Sequence, residues 1–449
     1  MDRRAFLRLA GGATALAASG CGPGGNGAKT AAEKTPAASG ADRPVLRIAI
    51  WSQYIQSYDA WFDHEYTKQW GDAHDVEVIV DHYPYAELPA RGQAEVADGR
   101  GHDIFGFITP PALFEDAVID HREIVEEVEA KLGKLSPLLQ RNVFNPKTGK
   151  YFAFPEFWAP NPVHYRTDLW QGVGGAPTTW DDVLRAAPAL KRQGYPVGIG
   201  LSADDDSGFS LLSIMNAHGS NLQDEDGRVT INSPATVEAV KFVTTLYRTG
   251  MTDEIFTWES PSNNRLLDSG RGSFILNAIS AMRGAEDQDP DLAAKIGLRS
   301  AMTGPEGGFA TQSVVNCLAI WRFAQNQESA RTFLVDLALQ YREAFLRSRF
   351  YNVPAFPGAV PDLVPLLASD PTAKPPDKYA VLADAGSWST NIGHPGYSSA
   401  AVMEIFNQFT IPKMFAAAAR GDLTPEEAVK TAGTQIKPVF DRWREQGKI

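Results

Sequence analysis

The run from Val45 to Phe107 restricts the fold more than any other part of the chain. Val45-Leu46-Arg47-Ile48-Ala49-Ile50-Trp51 reads as a strand, and a helical pattern follows from about Tyr58 to Trp70. Val76 to Val80 is a second strand, with a helix from about Tyr85 to Ala97 that carries Pro89 in its first turn. Gly99 to Asp103 then turns the chain into a third strand, Ile104 to Phe107. Strands separated by helices rather than by tight turns lie parallel, because a parallel pair needs a long crossover. A comparable alternation resumes at Tyr151, with strands expected at 152–154, 163–165, 197–201, 273–277 and 309–321. Helices are expected at 179–192, 208–217, 234–249, 263–268 and 328–343, and through most of the last fifty residues. No stretch repeats at a period of 20 to 50 residues, which excludes a solenoid. For 449 residues, two α/β lobes, each a mainly parallel sheet flanked by helices, are the expected architecture.

The N-terminus is built differently. Met1-Asp2-Arg3-Arg4-Ala5-Phe6-Leu7-Arg8 is basic, Leu9 to Gly20 is weakly apolar, and small residues precede Cys21. That run is too short to cross about 30 Å of hydrocarbon as a helix, so it reads as an export signal. Asp-Arg-Arg-Ala-Phe-Leu-Arg resembles the twin-arginine export consensus, and Ala18-Ser19-Gly20-Cys21 resembles a bacterial lipobox with Ala18 in place of the usual leucine. The expectation is a signal peptide over 1–20, a lipid on Cys21 and a flexible Gly/Ala/Pro/Lys/Ser tether over 21–43. Cys317, in the strand-like run Ser313 to Ile320, is then the remaining thiol and reads as a buried, inert one. The net charge of −12 leaves no surplus of cations to neutralise phosphates, so nucleic acid is excluded as a main partner.

Several strings along the folded part resemble one family. Glu95 to Phe105 is similar to its A-x-G-x-x-P-D-I stretch, with His102 in place of proline. Gly149-Lys150-Tyr151-Phe152-Ala153-Phe154-Pro155 matches G-K-x-x-A-x-P, and Tyr165-Arg166-Thr167-Asp168-Leu169 resembles Y-N-K-D-L. Pro177-Thr178-Thr179-Trp180-Asp181-Asp182 is close to P-K-T-W-D-E, and Gly421 to Ala428 resembles G-x-x-T-x-E-E-A. In this order the chain resembles the extracellular solute-binding proteins of bacterial ABC importers, in the carbohydrate-binding group. The resemblance implies two lobes joined by crossovers around a ligand cleft. It places an N-lobe at 44–157 and 302–358, and a C-lobe at 158–301 and 359–449.

A sugar offers apolar C–H faces and a rim of hydroxyls, so its site needs aromatic plates beside polar side chains. Trp51, Gln53 and Tyr54 follow the first strand at its C-terminal end, where open α/β sheets bind ligands. Tyr85 follows the second strand, and Trp158 and Asn161 span the first crossover. The resemblance adds Phe107, where the family carries a cleft aromatic, and Phe209, near a stacking tyrosine. Asn277 ends a strand at the second crossover, and Arg283 follows it. Trp388, His394 and Tyr397 belong to a loop dense in stacking and hydrogen-bonding groups. Trp180 is assigned to the core, as an anchor of its helix start. Asp204-Asp205-Asp206 lacks the spaced ligands of a calcium loop and reads as a solvated turn.

No H-E-x-x-H, G-x-S-x-G or G-x-x-x-x-G-K-[ST] string occurs. Gly198 to Ala203 fits G-x-G-x-x-A, but three aspartates follow where a pyrophosphate needs positive potential. The sequence thus predicts a non-enzymatic, monomeric receptor without cofactor, metal or catalytic residues, exported and held at the membrane by its lipid alone. It would deliver a sugar, oligosaccharide or polyol to a permease. A receptor for a cationic solute such as a polyamine, and a lipid-anchored glycosidase, are the alternatives.

Overall fold

The computed structural model describes residues 43–449; the export signal, Cys21 and nearly all of the tether lie outside them. Ten strands form the two sheets that matter: β1 (Val45–Trp51), β2 (Glu77–Tyr83), β3 (Ile104–Phe107), β4 (Phe154–Ala159), β5 (Val163–Arg166), β6 (Val197–Gly198), β7 (Phe274–Leu276), β8 (Ile296–Arg299), β9 (Val314–Ile320) and β10 (Val353–Pro354). The first sheet has the order β10-β4-β9-β3-β1-β2, the second β8-β5-β7-β6.

The expected two-lobed α/β architecture is present, but both sheets are mixed. β1 pairs parallel with β2 and β3, and β6 with β7. Every pairing made by β4, β5, β8, β9 and β10 is antiparallel. The parallel part is the βαβαβ segment that the sequence made legible. The antiparallel part forms where the chain passes between sheets: at Pro160-Asn161-Pro162, between β4 and β5, and at 300–313, between β8 and β9.

Several boundaries move. β2 runs on to Tyr83, because all seven of its residues pair with β1. The strand expected at 152–154 lies instead at Phe154–Ala159, so Glu156, Phe157 and Trp158 are sheet residues rather than a crossover. Only Val197–Gly198 of 197–201 is strand. The helix expected at 328–343 is broken at Gln340 into Gln327–Leu339 and Tyr341–Arg347. β9 runs through the middle of the first sheet and is buried along its length, which places Cys317 in the core and raises its thiol pKa. Trp180 is buried behind a capping box in which the Thr179 hydroxyl accepts from the Asp182 N–H and the Asp182 carboxylate accepts from the Thr179 N–H.

Candidate ligand-binding site

A gap opens where the ends of the two sheets face each other. From the first sheet it is bordered by Trp51, the last residue of β1, by Tyr54 just beyond it, and by Tyr85, in the short turn after β2. Ile108 follows β3, Ser313 and Val314 open β9, and Tyr351 precedes β10. The opposite wall is made of helix starts. Asp205, Asp206 and Phe209 come from the first turns of helix Asp205–Ala217. Ser260, Pro261 and Asn264 surround the start of helix Ser262–Asp268, and Asn277 and Ser280 follow β7. The first-sheet wall therefore combines the carboxyl ends of the parallel strands β1, β2 and β3, where open α/β sheets bind ligands, with the amino ends of the antiparallel β9 and β10.

The aromatic part of the wall is a continuous set. The Trp51 and Tyr54 rings meet edge to face at 5.7 Å, and Tyr54 and Tyr85 lie 6.5 Å apart. The polar part comes from the other side. Asn277 Nδ2 donates to Asp206 Oδ2 at 3.2 Å and to Asn263 Oδ1 at 2.8 Å, which fixes its amide at the strand end. Asp204 caps its helix by accepting from the Ser207 N–H and hydroxyl, at 3.2 and 2.6 Å. Asp205 and Asp206 are left facing the gap. Burial pushes both carboxyls up to about 7, with the neighbouring Asp204 charge adding to the effect. No Lys, Arg or His lines this gap among the described residues. The gap spans about 400 Å³, and its walls are closed on each other: Trp51, Phe209, Asn277, Ser313 and Tyr351 are all buried.

Of the candidates read from the sequence, Trp51, Tyr54, Tyr85, Phe209 and Asn277 come together here. The others lie elsewhere, each for a visible reason. Gln53 turns behind Trp51, where its Oε1 accepts from Asn352 at 3.2 Å. Phe107 is packed among Phe105, Phe114 and Trp321 in the core. Trp158 is held in the sheet between Val315 and Val353. Asn161 is buried in the crossing segment. Arg283, 1% exposed, is locked by Glu286, Asp370 and the Arg349 carbonyl and lies 3.8 Å over the Tyr379 ring. Trp388 donates to Asp384, and His394 packs on Phe309 with its pKa pushed down to about 4 by burial. The Tyr397 hydroxyl donates to the Lys448 carbonyl. The polar groups of the 388–397 loop are taken up in holding it in place: Gln223 donates to the Gly393 and Tyr397 carbonyls, and Asn391 donates to the Gly396 carbonyl.

Asp205 and Asp206 depart from the solvated turn that the sequence predicts. They line the gap instead, because their helix begins at Asp205 and points its first turn at the opposite sheet. The available signal was a run of acids at a helix start just after a strand. Tyr351 carried no signal, since the strand it precedes, Val353–Pro354, is only two residues long.

Residues 53–339 match the family described as bacterial extracellular solute-binding protein. A probable ABC transporter-binding protein of Deinococcus radiodurans is 24% identical over 230 residues, which are 49% of this chain and 54% of the relative. The chain thus spans about half the length of the curated relatives it matches. A solute-binding protein of Thermotoga lettingae with bound α-D-tagatose superposes with a TM-score of 0.73 at 17% identity, covering 88% of this chain and all of the other. One from Agrobacterium radiobacter K84 with bound ribitol gives 0.72 at 18% identity, covering 89% and 99%. These likenesses establish a shared fold. The chain belongs to the bacterial extracellular solute-binding proteins.

Proposed function

We propose that the chain captures a carbohydrate or polyol between its two sheets and hands it to the permease of an ABC importer. The supporting observation is the composition of the gap: Trp51, Tyr54, Tyr85, Phe209 and Tyr351 offer apolar plates, and Asp205, Asp206 and Asn277 offer hydroxyl partners opposite them. The tagatose and ribitol held by similarly folded proteins belong to the same ligand class. Closed walls imply a working cycle in which the sheets part, admit the solute and close on it. Export through a twin-arginine-type signal, lipid attachment at Cys21 and a monomeric receptor complete the proposal. The lobes would divide near the 160–162 and 300–313 crossings.

One observation favours a second reading. Two carboxylates without a cationic neighbour, set among aromatic rings, also suit a positively charged solute such as a polyamine. Calorimetric titration against sugars, polyols and polyamines separates the two. Saturable binding of a neutral sugar or polyol is the expected result. Silence from every carbohydrate alongside saturable polyamine binding would overturn it.

A further inference from the structure

Trp51 borders two spaces. One is the gap; the other lies behind β1 and is shared with Tyr58, Glu156 and Asn316. Here the pairing of β4 with β9 slips. Asn316 pairs with Phe157 and Cys317 with Pro155, so Glu156 is the extra residue of a bulge. Bulges re-aim side chains, and this one sets a carboxyl group into the protein interior. Glu156 is 5% exposed, and among the described residues no Lys, Arg or His pairs with it.

Both of its oxygens are nevertheless occupied. The Tyr58 hydroxyl donates to Oε1 at 2.5 Å, and Asn316 Nδ2 donates to Oε2 at 2.7 Å. An asparagine side chain has one donating and one accepting end. Because the carboxylate takes the donating end, Asn316 Oδ1 is turned to the indole and accepts from Trp51 Nε1 at 2.9 Å. Without an acceptor at position 156, the amide is free to turn over and present its NH2 to the indole N–H, which has no use for a second donor.

We propose that Glu156 is a positioning residue for the ligand site: through Asn316 it fixes the Trp51 ring as a rigid plate at the gap. The proposal rests on the gap being where ligand binds, and the two can fail separately. Burial raises the Glu156 carboxyl pKa to about 7. The titratable groups facing it are Tyr58 of helix Gln56–Trp61, Tyr66 of the segment that continues it, and Tyr341 of helix Tyr341–Arg347. Burial holds all three phenols above their ordinary range, so among the groups that face it Glu156 alone changes charge near neutrality. Two groups farther out also titrate there: Asp59, next to Tyr58 and raised by burial to about 6, and His82, raised by Asp63 and bonded to the Trp51 backbone. Its charge polarises the bonds beyond it and strengthens the hold of Asn316 on the indole.

The test is the indole N–H resonance of Trp51 in the ligand-free protein, assigned by its loss in Trp51→Phe. It should move downfield as pH rises through about 7, and go on doing so in Asp205→Asn/Asp206→Asn. In Glu156→Gln, which keeps an acceptor for Asn316, the signal should stay near its place and stop titrating. In Glu156→Met it should shift at all pH values. An unmoving wild-type signal, or one that titrates equally in Glu156→Gln, overturns the proposal. Should Glu156→Gln fail to fold, His82→Asn decides, because the signal should still titrate there, and a signal that stops titrating overturns the proposal. A second arm titrates ribitol, tagatose and laminaribiose into wild type and Trp51→Ala. Binding lost in Trp51→Ala with an unmoving indole leaves the gap as the site and removes Glu156 from it. A titrating indole with unchanged binding in Trp51→Ala sustains the Glu156 relay and sinks the reading of the gap.

Discussion

Trp51, Trp158 and Trp388 are all buried, and the sequence offers the same reason to place each at a ligand. Their surroundings separate them. Trp51 ends a strand and meets the gap, whereas Trp158 sits inside the first sheet and Trp388 donates into its own helix turn at Asp384. Truncating a buried aromatic costs about 3–5 kcal/mol of stability through lost burial and the cavity left behind. We therefore expect Trp158→Ala and Trp388→Ala to lower the thermal midpoint clearly while leaving ligand affinity within about twofold. Trp51→Ala should weaken binding at least tenfold, worth about 1.4 kcal/mol. Calorimetry and thermal melts on the three variants check the ordering, and equal loss of affinity in all three would contradict it. Asp205 and Asp206 show the reverse error. Three acids in a row look like a solvated surface, and nothing local says that a second sheet closes over two of them.

Among the elements, those with a local cause were legible. The βαβαβ start was readable because each strand carries its own apolar run and each helix its own period. The helix at Trp180 was readable from Thr179 and Asp182, and the structure closes that capping box. Thr179→Ala removes the hydroxyl that accepts the Asp182 N–H, and should cost about 1 kcal/mol in chemical denaturation without changing affinity. A loss well above the usual range for a cap would contradict a purely local role for the Thr179 hydroxyl. What was not legible has a non-local cause. β4 extends to Ala159 because β9 and β10 supply its partners from the far side of the sequence. The loop from Trp388 to Tyr397 looked like a site because it is rich in polar and aromatic groups. Those groups are bonded to Gln223, Asp384 and Lys448, which the loop sequence does not contain.

At the scale of the whole molecule, buried ionisable groups set how stability follows pH. Burial raises the Glu156, Asp205, Asp206 and Asp268 carboxyls to about 7, well above their unfolded values. The folded state holds more protons than the unfolded state in that interval, so stability falls as pH rises through about 7. His121 and His394, lowered to about 4, and His164, lowered to about 3, act in the opposite direction below pH 6.5, where the unfolded chain would take up their protons. The two sets oppose each other between about pH 4 and 6.5. Above that the carboxyls act in the same direction as His82, raised by its bond to Asp63, and His102, raised against its burial by bonds to Glu95 and Asp81. The thermal midpoint should hold roughly level on the acidic side and drop by a few degrees between about pH 6.5 and 8. Asp205→Asn/Asp206→Asn should flatten that drop, and a midpoint rising across the interval would refute the assignment.

The interleaving of the two sheets has a further consequence, for the order in which the chain can fold as it leaves the ribosome. β9 sits between β3 and β4, yet it is made only after the whole second sheet has been synthesised. The first sheet therefore cannot close while its N-terminal half is emerging, and must keep an open edge along β3 until the segment from Val314 to Ile320 arrives. The first sheet cannot be produced as one uninterrupted fragment, and a nascent chain stalled before that segment should be more vulnerable to protease in its first hundred residues than in its second sheet.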